Sequence, residues 1–181
     1  PPGFNVSSLP YSLSEESIQV ISPHLDDADT EELSLGTIPL SSVNLRRSFS
    51  FDVDSVLNPG EINQTGIATV DVSFDATGYT SREFTIPQDQ ITTINVPEGK
   101  EVTIETRQLA NVTIYGPEDV VNDLSADDFT VVLNLSDVVN SGSINHTVTV
   151  YAPRYNQVWC YGNNQVQLEI SDASDSSEAE S

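Results

Sequence analysis

The chain has 181 residues, and its 6 Lys and Arg stand against 28 Asp and Glu, a formal net charge of −22. Charge of that sign repels phosphate backbones and anionic lipid leaflets, which argues against nucleic acids and membrane surfaces as partners. Apolar residues make up 37%, enough for a core, but no run reaches the roughly 18 residues that a membrane-spanning helix needs.

Val and Ile alternate with Ser, Thr, Asn and Asp along most of the chain, a composition that favours many short strands over helices. Cys160 is the single cysteine, so no internal disulfide forms; that suits a reducing cytosol or a bacterial envelope protein without disulfides. There is no Met, and the chain starts P-P-G-F. The expectation is a fragment of a longer protein whose signal or anchor lies upstream.

Residues 1–10 are rich in Pro, Gly and Ser and read as a lead-in peptide. The spacing predicts strands over residues 17–22 and 37–43, with a helical turn or loop over 24–33 between them. From Ser48 to Val56, Phe49, Phe51 and Val53 fall on one face, and Ser50, Asp52 and Asp54 on the other, as in a half-buried strand. Leu57-Asn58-Pro59-Gly60 is a turn, and residues 67–74 form the next strand. Gly78 is the expected joint. Strands follow around Phe84 and Ile86, then Ile91, Ile94 and Val96, with Pro97-Glu98-Gly99-Lys100 as a hairpin-type turn before Val102 and Ile104.

Residues 111–136 read N-V-T-I-Y-G-P-E-D-V-V-N-D-L-S-A-D-D-F-T-V-V-L-N-L-S. Val112 and Ile114 alternate as in a strand. Pro117 suits the first turn of a helix, and Glu118 and Asp119 suit the positive end of its dipole. Val120, Val121 and Leu124 share one face of that short helix, residues 125–128 end it, and residues 129–135 form a second strand. Residues 143–151, 155–161 and 165–171 are three further alternating segments. Residues 172–181 hold nothing apolar enough to anchor them and are expected to be disordered.

The strand, Pro turn, short helix, strand pattern occurs twice. Ile18, Val20 and Pro23 precede Val112, Ile114 and Pro117 by 94 residues. Ile38 and Leu40 precede Leu133 and Leu135 by 95, and Val70, Val72 and Phe74 precede Val166, Leu168 and Ile170 by 96. An offset that drifts this little points to two copies of one module. The expected domains are residues 1–80, truncated at the N-terminal end or beginning with residues 4–13, then residues 81–171, then the acidic tail.

Residues 112–136, the phrase I-N-V-P-E-G-K-E-V-T-I-E before them, and Y-A-P-R-Y-N-Q-V and V-Q-L-E-I after them resemble the YbbR-like domain family. The likeness is fullest over residues 81–171 and weaker over 17–74. It implies a mostly β fold with short helices, as tandem domains of interleaved hairpins in an elongated arrangement. It also implies a place outside the cytoplasm behind an upstream membrane anchor in a bacterium, and a protein partner. The best known member regulates a membrane diadenylate cyclase, which makes cyclic di-AMP. The family brings no catalytic residues and no cofactor.

Ile21-Ser22-Pro23-His24-Leu25-Asp26-Asp27 is similar to the P-H-x-D-D signature of zinc-dependent N-acetylglucosaminyl deacetylases, with His24 and Asp27 as ligands and Asp26 as base. The only other histidine, His146, sits in I-N-H-T-V and supplies no H-x-x-H to complete such a site. An exposed acidic turn is the better reading. Asp26, Asp27, Asp29, Glu31 and Glu32 offer oxygens to Ca²⁺ without the spacing of a calcium loop. The N-x-[ST] sequons at Asn63, Asn111, Asn134 and Asn145 read only as β-friendly polar positions. No metal site, cofactor site or catalytic set is therefore assigned, and the chain is read as not an enzyme.

Tyr151, Tyr155, Trp159 and Tyr161 cluster around Cys160. On a strand, Val158 and Cys160 face one way and Trp159 and Tyr161 the other. One face must be core; the other is the candidate interaction patch, for a protein or, as an alternative, for sugar rings in an adhesion or carbohydrate-binding module.

Overall fold

A computed structural model of the chain describes residues 3–23 and 31–173. The chain divides into two compact units, an N-terminal one of residues 7–77 and a C-terminal one of residues 78–181 together with residues 1–6.

The N-terminal unit contains β1 (Tyr11–Leu13), β2 (Val20–Ile21), β3 (Phe49–Asp52), β4 (Ile62–Asn63) and β5 (Thr69–Phe74). β5 lies between β1 and β3 and is antiparallel to both, with Val72 opposite Leu13 on one side and Phe49 on the other. β2 and β4 form a separate antiparallel ribbon in which Val20 faces Asn63 and Ile21 faces Ile62. The alternation read from residues 48–56 places Phe49 and Phe51 half-buried beside Val70 and Val72, while Ser50 and Asp71 hydrogen-bond on the exposed face. Leu9, Val43 and Val53 complete this small core.

Two expected strands shrink here. Residues 37–43 run without ladder bonds into a 3-10 turn at Leu40–Ser42, closed by the Val43 N–H on the Leu40 carbonyl at 3.0 Å. Pro39 has no N–H to give a ladder. The strand expected over residues 17–22 keeps only Val20 and Ile21, because its partner is two residues long. Of the expected turn at 24–33, residues 24–30 lie outside the described residues and 31–33 carry no helix.

The C-terminal unit contains β6 (Tyr79–Pro87), β7 (Ile91–Ile94), β8 (Lys100–Ile104), β9 (Gln108–Pro117), α1 (Glu118–Asp123), β10 (Thr130–Asn134), β11 (Gly142–Tyr151), β12 (Trp159–Tyr161) and β13 (Asn164–Asp172). One sheet runs β7-β10-β11-β13-β8, with β7 and β10 parallel and the other pairs antiparallel. A second, antiparallel sheet runs β12-β9-β6. The turn at Pro97 forms as expected, with the Lys100 N–H on the Pro97 carbonyl at 3.1 Å. It is not a hairpin turn: β7 and β8 part to opposite edges of the five-stranded sheet.

The helix forms where Pro117, Glu118 and Asp119 predict it, with Pro117 as its N-terminal cap residue. Val121 is fully buried and Leu124 nearly so, while Val120 is half-buried. Arg82, stacked over Phe84, donates to the carbonyls of Asn122 at 3.3 Å and Leu124 at 3.1 Å. It thereby satisfies acceptors that every helix end leaves open. Asp128 then accepts the Ser125 N–H at 2.8 Å and its hydroxyl at 2.9 Å, a capping box for the turn at Ala126–Asp128.

One apolar cluster draws on both sheets and on α1. Ile86, Val112, Ile114, Val121, Val131, Leu133, Leu135 and Leu168 are all fully buried in it. Each such side chain contributes about 1.5–3 kcal/mol of burial. β6 and β9 slip register between Phe84 and Ile86, beside Asn111, whose φ of 58° a residue of this type tolerates.

The expected boundary at residue 172 moves outward. Asp172 pairs with Lys100 in the ladder, their side chains form an ion pair, and the Ala173 N–H reaches the Gly99 carbonyl at 2.9 Å. Backbone pairing thus holds a segment with no apolar anchor. Residues 174–181 lie outside the described residues.

Candidate functional site

β12 sits at the edge of the three-stranded sheet, with Trp159 opposite Tyr115 and Cys160 opposite Ile114 on β9. The alternation read from the sequence holds. Val158 and Cys160 join the apolar cluster, whereas Trp159 turns to the other face. That face is also covered. The Trp159 ring stacks on Tyr115 at 5.7 Å between centroids and 15° between planes. Phe4 meets it edge-on at 5.9 Å and Tyr79 lies 6.2 Å away. Tyr161 packs edge-on against Tyr115 at 5.8 Å. The N–H of Asn5 donates to the Asn156 carbonyl at 2.8 Å and fixes the lead-in segment beside Trp159.

Trp159 is 1% exposed. It is therefore the centre of a second, aromatic core, and a sugar ring has no free indole face to stack on. Tyr155 is half-buried and packs against the main apolar cluster. Tyr151 lies half-buried on β11, opposite Thr130. Of the four aromatic residues read from the sequence, Trp159 and Tyr161 share Tyr115 as a partner while Tyr151 and Tyr155 lie elsewhere, and the rings packed on Trp159 are Phe4, Tyr79 and Tyr115. Those three come from other segments, and the spacing around Cys160 carries no trace of them.

Burial pushes the Cys160 thiol up to about 11, opposed by the Asn164 amide, which donates to its Sγ at 3.1 Å. It is a neutral thiol at physiological pH and a poor nucleophile. His146 sits between the carbonyl of Thr147 and the carboxylate of Asp137, each at 3.0 Å. The hydrogen bond to His146 holds Asp137 below the ordinary carboxylate value. Asp128 is lowered by the Ser125 backbone N–H and hydroxyl, with the Arg154 ion pair adding to them.

His24, Asp26, Asp27 and Asp29 lie outside the described residues. Among the described residues no three His, Cys, Asp or Glu side chains group to hold a metal, and α1, six residues long, is the one α-helix. The long helices of a deacetylase α/β sandwich are not among them.

The family model described as YbbR-like protein matches residues 88–170, from the β6–β7 turn through β13. Among solved structures, the chain is similar to the YbbR-like domain of the lmo2119 protein from Listeria monocytogenes. The two share 16% identity, 54% of this chain and 98% of that one are covered, and the TM-score is 0.38. Among curated proteins none matches. The likeness to the YbbR-like family thus rests on residues 88–170.

Proposed function

We propose that this protein is a non-catalytic interaction module, held outside the cytoplasm by a membrane anchor on a bacterial protein, and that it regulates a membrane diadenylate cyclase. The match of residues 88–170 to the YbbR-like family carries the proposal. That family is one of non-catalytic domains, and the step to a cyclase rests on its best known member. Deleting the gene and measuring cyclic di-AMP tests the regulatory part: a changed level is the expected result. An unchanged level removes the cyclase as partner and leaves the interaction module.

The proposal includes a second, truncated module of the same kind in residues 7–77. Support comes from strand pairing. Phe49 faces Val72 in β3 and β5, and Ile144 faces Leu168 in β11 and β13, at offsets of 95 and 96 residues. Leu13 faces Val72 on β1 as Ile104 faces Leu168 on β8. The turns agree as well: the Val43 N–H reaches Leu40 as the Val138 N–H reaches Leu135. Counterparts of β6 and β7 are the parts missing from the truncated module.

A further inference from the structure

Along β11, Ile144, His146, Val148 and Val150 share one face by alternation, and Ile144, Val148 and Val150 belong to the apolar cluster. His146 is the polar member of that row, opposite Val166 on β13, with a side chain 16% exposed. Each ring nitrogen meets an oxygen at 3.0 Å, Nδ1 the Thr147 carbonyl and Nε2 the Asp137 carboxylate. A carbonyl and an ionised carboxylate only accept hydrogen bonds. Neutral imidazole has one N–H, so it would leave the lone pair of its other nitrogen against an oxygen. Imidazolium has two and satisfies both partners. Asp137 agrees from its own side: the hydrogen bond to His146 is the largest cause holding its carboxyl below the ordinary value, and the charge on His146 adds to it.

Few other charges face the ring. Of the elements packed against β11, β10 carries no titratable side chain, and β12 carries Cys160 and Tyr161. On β13, Glu169 stands opposite Ser143, on the other face from His146, and Asp172 is paired with Lys100. Among the described residues, Asp137 is the carboxylate in ion-pair reach of the ring.

Asp137 belongs to the loop of residues 136–141 that joins β10 to β11. The Val138 N–H on the Leu135 carbonyl at 3.1 Å closes the turn at its start. Ser141 Oγ accepts from Lys100 Nζ at 2.8 Å at its end. Between them Val139 is 80% exposed. The His146–Asp137 contact is the tie from the loop to the face of β11.

We propose that protonation of His146 fastens this loop to β11, so that the order of the loop and its presentation of Val139 depend on pH. Histidine takes up its second proton between about pH 8 and 5. The two-sided contact is therefore complete on the acid side and loses one hydrogen bond as pH rises through that range. It needs Asp137 ionised as well, and the lowered pKa of that carboxyl extends the fastened state into acid.

Amide hydrogen exchange of the full chain, followed by NMR and corrected for its intrinsic pH dependence, tests this. The Val138 amide should exchange several-fold faster at pH 8 than at pH 5, with a midpoint matching the titration of the His146 ring protons. His146→Gln cannot titrate and Asp137→Asn loses the charge, so both should lack that midpoint while the amides of β10 and β13 stay protected. His24→Gln should keep it. A Val138 amide indifferent to pH in the parent chain overturns the proposal. So does a midpoint that differs from that of the His146 ring, or one that survives in His146→Gln.

Discussion

At the scale of single residues, close packing decides more than polarity does. Gly116 lies on β9 where an added Cβ would stand 2.6 Å from Val158 Cγ1, 3.2 Å from Val121 Cγ2 and 3.3 Å from the Gln157 carbonyl. Its need is space, since its φ is not in the left-handed region. Gly116→Ala should therefore cost about 1–3 kcal/mol by overpacking, read as a lower urea midpoint with an unchanged slope. Cys160 should react slowly with a thiol-specific disulfide reagent in the native chain and rapidly in urea, because burial keeps it protonated. Asp128 provides a pH test. Its folded pKa lies below the ordinary 3.8, so its contribution is complete above that value and is lost as pH falls through the folded one. Asp128→Asn should be less stable than the parent at neutral pH and approach it in acid; a gap independent of pH contradicts the assignment. The Tyr-Trp-Tyr spacing near Cys160 was legible as a two-faced strand. That Trp159 is covered on its outer side was not, because Phe4 and Tyr79 are remote in sequence.

At the scale of elements, the sequence reading succeeded where the local signal and the tertiary partner agree. Pro117, two acidic residues and the Val121–Leu124 spacing all favour a helix, and β6 and β9 bury the face they define. Residues 129–135 are apolar almost throughout, and β10 lies between β7 and β11, buried at Val131 and Leu133. Leu133→Ala should accordingly cost about 2–5 kcal/mol, whereas Val102→Ala on the edge strand β8, half-buried, should cost less; thermal unfolding of the two variants checks the order. The reading failed where a strand depends on a partner. Ile38 and Leu40 have the spacing of Leu133 and Leu135, but Pro39 lacks a donor and no counterpart of β7 lies beside them. Periodicity shows which face is apolar; it does not show whether a ladder exists to pair with. The lead-in segment makes the opposite point: residues 3–6 look like a loose Pro- and Gly-rich peptide, yet Phe4 covers Trp159. Removing residues 1–6 should shift the Trp159 emission to longer wavelength and make it accessible to acrylamide. An unchanged spectrum would show that Phe4 does not shield it.

At the scale of the whole molecule, the chain divides into two compact units, each built on antiparallel strand pairs. The β-rich class was legible from composition, because Val, Ile and Thr alternate with small polar residues throughout. The proposed repeat rests on spacing and strand pairing, since the two matched stretches share few identities. The account turns on one pairing scheme serving both units, and NOE spectra of the isotopically labelled chain test it most directly. Cross-strand contacts should link Phe49 with Val72 and Ile21 with Ile62, in step with Ile144 and Leu168 and with Tyr115 and Trp159. Contacts in residues 7–77 that place Phe49 or Ile21 opposite other partners, out of step with the second set, would contradict it.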